Sequence, residues 1–316
     1  MSIRSIPVID ITHLHDGETL AALDEACREW GFFQVVNHGI AADTTERLLR
    51  ETHRFFAQPL TVKRSISRTA ENPWGFYDRE LTKNTLDWKQ IYDYGPASGR
   101  SMHPQWPAAL PAFRPALLDY YRACEKLAFE LLSAVSINLG MDAEALAAGF
   151  LPAHTSFLRL NYYPRCPRPE RPRDVSTPRQ GHLGLNHHTD AGALTILLQD
   201  DQPGLEVHRD GEWHLVEPRR DALVINIGDI AQVWSNDLYT AALHRVLANS
   251  EAARYSIPFF FSPAYEADYA PLPTTIDTVH RARYRAINWG EFYRRRTAGD
   301  YADLGEEVQI THYRTS

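Results

Sequence analysis

"LNHHTDAGALTILLQDD", Leu185–Asp201, sets two adjacent histidines before a threonine and an aspartate, then runs into an apolar stretch. Side chains on an extended strand alternate faces, so residues two apart project together. His188 and Asp190 therefore share one face, and His187 and Thr189 take the other. An imidazole and a carboxylate so placed can bridge one ion, which makes His188 the candidate ligand of the pair. Alone the pattern is weak, because a chain with 14 histidines produces H-x-D by chance. A second copy, His208-Arg209-Asp210, leads into Gly211 and is better explained as a hairpin turn.

Outward from this stretch the texture is β. "SFLRLNYYP", "GALTILLQ", "GLEVHR", "EWHLVEP", "ALVINIG", "HRVLAN" and "YSIPFFFSP" are short runs set off by Gly, Pro and Asp-Gly signals. Many short strands without intervening helices predict a sandwich, jelly roll or barrel. The first half differs. "IPVIDI" (Ile6–Ile11) alternates like a strand, and Leu20, Leu23, Cys27 and Trp30 then recur at helical spacing. "GFFQVVNHGI" (Gly31–Ile40) reads as a buried strand closed by a turn, followed by a helix with Leu48, Leu49, His53 and Phe56 on one side. From Arg68 to Pro111 no period survives, and a loop that long with so many aromatics points to function rather than disorder. The longest helix is predicted from Phe113 to Leu139, where Leu117, Tyr120, Cys124, Leu127, Leu131 and Val135 recur at three and four.

Composition narrows the class. The 316 residues are 44% hydrophobic and 23% charged, as in an ordinary soluble protein, and the formal charge of −7 argues against a nucleic-acid surface. No apolar run has the length of a signal peptide or a membrane span. Three scattered cysteines, Cys27, Cys124 and Cys166, suit buried thiols in a reducing cytoplasm better than a disulfide scaffold. The Pro/Arg stretch from Pro164 to Arg179 reads as a solvated loop. Oligomeric state leaves no signal.

Two further motifs raise the weight of His188 and Asp190. "ALHRVLAN" opens another β-run at His244, far enough downstream that only fold closure could bring it in as a third ligand. Two histidines and one carboxylate form a face that leaves three positions open, the arrangement suited to non-haem iron. "RYS", Arg254-Tyr255-Ser256, puts a guanidinium and a hydroxyl on one strand face, a grip for a carboxylate. Its decoy, Arg314-Thr315-Ser316, lies at a chain end. "RLNYYP" places Arg159, Asn161 and Tyr163 on a common face.

H-T-D, H-R-V and R-Y-S leading into "FFFSP", with "NYYP" before and "WGFFQVVNHGI" near the start, resemble the isopenicillin-N-synthase-like branch of the iron(II)/2-oxoglutarate-dependent oxygenases. The resemblance extends to "INWGEFYRRRTAGDYADLGEE" near the end. It implies a mainly β fold with flanking helices, a double-stranded β-helix (jelly roll) core braced by the long helix. It implies His188, Asp190 and His244 as the Fe(II) ligands, and Arg254 and Ser256 as the clamp on 2-oxoglutarate, with Tyr163 and Asn161 beside it. Phe260 continues the face of Arg254 and Ser256, and its counterparts in relatives often touch substrate. The implied reaction consumes O2 and 2-oxoglutarate, releases succinate and CO2, and oxidises an unactivated carbon of a small-molecule substrate. Hydroxylation is the default outcome, with desaturation or cyclisation as variants, and secondary metabolism is a natural setting.

The expected organisation is residues 1–110 as an N-terminal region carrying a substrate-side loop, 111–150 as bracing helices, 151–265 as the oxygenase core and 266–316 as a segment packing on it. Within "NPWGFYDRELTKNTLDWKQIYDYG", Phe76, Tyr77, Asn84 and Tyr92 are candidate substrate contacts, although aromatics mostly fill cores. Two rivals stay open. A 2-oxoglutarate-independent oxidase of the isopenicillin N synthase type could recruit a tail glutamine, for which Gln309 is the nearby candidate, and an ethylene- or succinate-forming variant would fragment 2-oxoglutarate itself. A non-catalytic binding protein could use the same cup, but needs no open metal positions.

Overall fold

The computed structural model describes residues 5–97, 102–173, 180–298, 305 and 308–315. Two sheets face each other. The larger has eight strands in the order Val8–Asp10, Phe32–Val36, Ala222–Ile227, Leu194–Gln199, Arg254–Phe261, Phe157–Tyr163, Gln90–Tyr94 and Gly75–Tyr77. Its neighbours pair antiparallel except the first two, which are parallel. The smaller has four antiparallel strands in the order Glu212–Leu215, Leu205–Arg209, His244–Leu247 and Leu183–His188. This is the two-sheet jelly roll that the β-rich second half predicts.

The helix Phe113–Asn138 braces the outer face of the larger sheet, packing on Leu194–Gln199, Arg254–Phe261 and the helices Gly17–Glu29 and Ala42–Phe56. Alternation along Arg254–Phe261 decides what goes where. Phe259 and Phe261 point outward onto the helical layer, where Phe259 meets Tyr121 at 5.1 Å and Phe261 stacks on Phe150 at 4.2 Å between ring centroids. Each such burial contributes roughly 1.5–3 kcal/mol. Arg254, Ser256, Pro258 and Phe260 face the space between the sheets. The strand Ala222–Ile227 is buried along its whole length, with the helical layer on one side and the smaller sheet on the other, and so reads as a continuous apolar run.

Three sequence expectations change. The N-terminal region does more than carry a substrate-side loop: four of the eight larger-sheet strands come from it, and these cover edges that would otherwise expose unpaired backbone. The Arg68–Pro111 stretch is not one irregular loop, since it holds Gly75–Tyr77, Gln90–Tyr94 and the small hairpin Leu81–Thr82/Thr85–Leu86, each too short to show a period. On the second helix Glu51, Thr52 and Phe55 are buried while His53 is exposed, stacked on Tyr255 at 3.9 Å.

The Asp210-Gly211 turn is as expected, with φ of 51° and 82°, the left-handed pair of a two-residue hairpin. Of the Pro164–Arg179 stretch, residues 174–179 lie outside the described residues, as do residues 299–304 and 306–307 of the C-terminal motif and Ser316 of the second R-x-S. Among the described residues no helix is long and apolar enough to cross a membrane.

Candidate active site

His188 and His244 stand opposite each other as a register pair of the smaller sheet, their ring centroids 4.2 Å apart. The strand stops at His188, so Asp190 sits on the turn beyond it and not on the strand the alternation argument assumed. The turn keeps Asp190 on the same side, and Thr189 also reaches the cavity. Asp190 Oδ1 lies 3.5 Å from His188 Nε2 and 3.7 Å from His244 Nε2, and the three ligand atoms fall within 4.8 Å of one another. The turn is tight behind them: a Cβ on Gly228 would lie 2.1 Å from the Gly192 carbonyl oxygen, which leaves glycine as the residue that fits.

Both imidazoles are oriented from behind. His188 Nδ1 lies 2.9 Å from the Asn186 carbonyl oxygen and His244 Nδ1 lies 3.0 Å from that of Ala242. As donors to those carbonyls they leave each Nε2 lone pair directed at the shared centre. Asp190 Oδ2 accepts from Thr195 Oγ1 and Asn226 Nδ2, which leaves Oδ1 for an ion. Burial, with the neighbouring His188, lowers His244 to about 4, keeping it neutral and able to ligate. Burial would raise Asp190, but its interactions with the His244 and His188 imidazoles and its hydrogen bonds prevail and hold it below the usual carboxylate range. A buried carboxylate between two imidazoles suits a divalent cation, and the donor set is that of non-haem iron.

Arg254 and Ser256 line the same cavity, joined by Asn161 and Tyr163 from the neighbouring strand. Arg254 Nε and Nη2 donate to Gln202 O and Gln199 Oε1, which pin the guanidinium. Its Nη1 is buried without a hydrogen-bond partner among the described residues, as is Asn161 Oδ1. An arginine nitrogen so placed is costly unless a ligand satisfies it, and a carboxylate fits that need.

The remaining sequence candidates separate. Phe260 lines the cavity and packs on Phe157 at 4.7 Å. Phe76 and Tyr92 are fully buried with Phe55 in the helix–sheet core, and the Tyr92 hydroxyl donates to the Gln105 carbonyl. Tyr77 lies under the Arg68 guanidinium, and Asn84 donates to the Gly305 carbonyl from an exposed hairpin tip. None of these four borders the cavity. The segment does form a wall, but through Glu80, Thr82 and Lys89, which carry charge or hydroxyl in place of the expected aromatics. Gln309 pairs with His312 in a reciprocal cap of Ile310–Tyr313, also apart from the cavity.

Sequence reasoning missed Thr195 and Asn226, whose signal is a lone polar residue inside an apolar β-run. It also missed the helix Trp289–Thr297, which contributes Trp289, Tyr293, Arg296 and Thr297 to the wall.

Comparison with known proteins agrees with the geometry. Residues 154–263 match the family model of the 2OG-Fe(II) oxygenase superfamily, and residues 6–114 match that of the N-terminal region of non-haem dioxygenases in morphine synthesis. The chain belongs to the 2-oxoglutarate- and iron(II)-dependent oxygenases. Among its relatives are Jasmonate-induced oxygenase 2 of Arabidopsis thaliana, 33% identical over 91% of this chain and 78% of the relative, and Feruloyl CoA ortho-hydroxylase 2 of the same plant, 35% identical over 92% and 78%. A crystal structure of JOX2 with 2OG, Fe and JA superposes with a TM-score of 0.84 at 30% identity, covering 99% of this chain and 90% of that one. A full-length Neurospora crassa protein in complex with alpha-KG and thymine gives 0.81 at 26% identity, covering 93% and 96%. The protein is accordingly an oxidoreductase that uses Fe(II), 2-oxoglutarate and O2 on a small molecule.

Proposed function

We propose that His188, Asp190 and His244 hold the ferrous ion and that Arg254 and Ser256 grip the distal carboxylate of 2-oxoglutarate, with Tyr163 and Asn161 beside it. The carrying observation is that three convergent ligand atoms and the unpaired Arg254 Nη1 open onto one cavity. Bound iron supplies the oxidising chemistry, which couples decarboxylation of 2-oxoglutarate to oxidation of an unactivated C–H bond. The chain's own residues do the rest. Asn186 and Ala242 orient the imidazoles, Thr195 and Asn226 orient the carboxylate, and the cavity walls place the substrate and exclude water.

For the prime substrate, Phe157, Phe260, Trp289 and Tyr293 offer apolar and aromatic surface, and Arg159, Lys89, Glu80 and Thr82 offer polar anchors. That pairing suits a small molecule that combines apolar surface with hydrogen-bonding groups, and the similar structures hold small molecules, JA in one and thymine in another. Hydroxylation is the outcome we assign, in secondary metabolism. We take residues 151–265 as the catalytic core, 111–150 as its brace, 1–110 as an N-terminal region carrying a substrate-side loop and 266–316 as a segment packing on the core. The three buried free cysteines favour a reducing, cytoplasmic setting.

Anaerobic addition of Fe(II) and then 2-oxoglutarate, followed by the visible charge-transfer absorption of the chelate, tests the assignment. His188→Ala should lose the band and Arg254→Met should shift its appearance to higher 2-oxoglutarate concentration. A wild-type response from both variants would overturn it, as would turnover without succinate.

A further inference from the structure

We infer that Asp87 and Asn186 form a bracket that positions His188, so that a segment far away in sequence sets the geometry of an iron ligand from the substrate wall. The inference rests on His188 being such a ligand. Among the described residues Leu183–His188 is an edge strand of the smaller sheet, paired on one flank with His244–Leu247. An edge strand is free to shift unless its open side is held. Here the chain from Thr82 to Trp88 holds it. Trp88 N donates to Leu183 O at 3.0 Å, and Asn186 Nδ2 donates to Thr85 O at 3.2 Å.

The strongest tie is at Asp87. Its Oδ1 accepts from both Asn186 N at 3.0 Å and Asn186 Nδ2 at 2.7 Å, while its Oδ2 takes Thr82 Oγ1 at 2.8 Å and Lys89 Nζ at 3.2 Å. Asp87 and Asn186 themselves are buried. The Asn186 carbonyl is the group that meets His188 Nδ1. A ligand imidazole is thus reached from Asp87 through a single residue. Thr82 and Lys89, the other partners of that carboxylate, line the cavity. The wall that meets the substrate and the strand that presents the ligand therefore share one carboxylate, and Asp87 and Asn186 are positioning residues.

The test uses the full-length, metal-free chain and Co(II) alone, read by calorimetry and by the visible ligand-field absorption of the bound ion. Groups behind a metal ligand typically govern affinity by 10–100-fold. Asn186→Ala, which keeps the main-chain bonds, should weaken Co(II) binding about tenfold and change the Co(II) spectrum. Asp87→Asn, which keeps an acceptor for Asn186, should retain more affinity than Asp87→Ala. If Asp87→Ala fails to fold, Asn186→Ala still decides. A Co(II) affinity within about twofold of the parent and an unchanged spectrum in Asn186→Ala would overturn the bracket, whatever happens to thermal stability. His188→Ala separates the two levels: normal Co(II) binding there refutes the ligand assignment itself, whereas lost binding there with normal binding in Asn186→Ala refutes the bracket alone.

Discussion

Asp190 divides its carboxylate, one oxygen to the imidazoles and one to Thr195 and Asn226, and this division is what fits it to the ligand role we propose. Arg254 is divided in the same way, two nitrogens spent on Gln202 and Gln199 and one kept for the cavity. A lysine has no planar fork to do both. Arg254→Lys should therefore raise the 2-oxoglutarate concentration needed for half-maximal succinate formation at least about tenfold, roughly 1.4 kcal/mol, with Fe(II) affinity unchanged; a loss of both would implicate folding instead. Asp229 makes the opposite case. Burial pushes its carboxyl up to about 6 despite the Arg296 charge. Between its ordinary 3.8 and 6 the native state keeps a proton that the unfolded chain has released, so this group lowers stability as pH rises through that window and imposes nothing below it. Asp229→Asn should make the metal-free protein more stable by about 3 kcal/mol above pH 7, with the gap closing near pH 4 in denaturant titrations.

At the level of elements, the strands Gln90–Tyr94 and Phe157–Tyr163 pair with Asp93 directly opposite Arg159. Around that pair a buried cluster gathers Arg68, Glu80, Lys89 and Asp87, linked by contacts of 2.6–3.2 Å. Burial opposes the charge on Glu80, but Arg159, Lys89 and Arg68 together hold it far below the usual carboxylate range. Removing one member leaves a buried charge short of its partner. Arg68→Met should cost about 3–5 kcal/mol, seen as a lower urea midpoint at unchanged slope; a shift under 1 kcal/mol would mean the cluster repacks. None of this is legible from sequence. Nothing local in "QIYDY" or "FLRLNYY" marks Asp93 as the partner of Arg159, and only the pairing register joins them.

Across the whole molecule, the helical layer seals one face of the larger sheet while the smaller sheet closes the other over the cavity. Cys27 and Cys124 belong to that sealed layer, and Cys166 is equally inaccessible. Burial pushes the Cys124 thiol up to about 12 and Cys27 higher still. A thiol reagent should find no fast-reacting cysteine in the native protein and three in denaturant, with native labelling following the rate of unfolding. One fast thiol in native buffer would show that part of this layer opens on its own.

The sequence by itself determined the β-rich half and the bracing helix, because two-residue alternation in strands and three-to-four spacing in helices are local consequences of backbone geometry; His188, Asp190 and His244, which the structure brings together, it singled out by motif. Alternation carried Arg254, Ser256 and Phe260 to one wall, as it should within a single strand. Only the tertiary structure decided the other wall. Which face of Arg68–Pro111 meets the cavity depends on strands of two to five residues whose partners lie far along the chain. Their pairing buried Phe76 and Tyr92 and brought Glu80 and Lys89 to the front. Buried charges are stable only in company, and that company is assembled by long-range pairing, which no local period records.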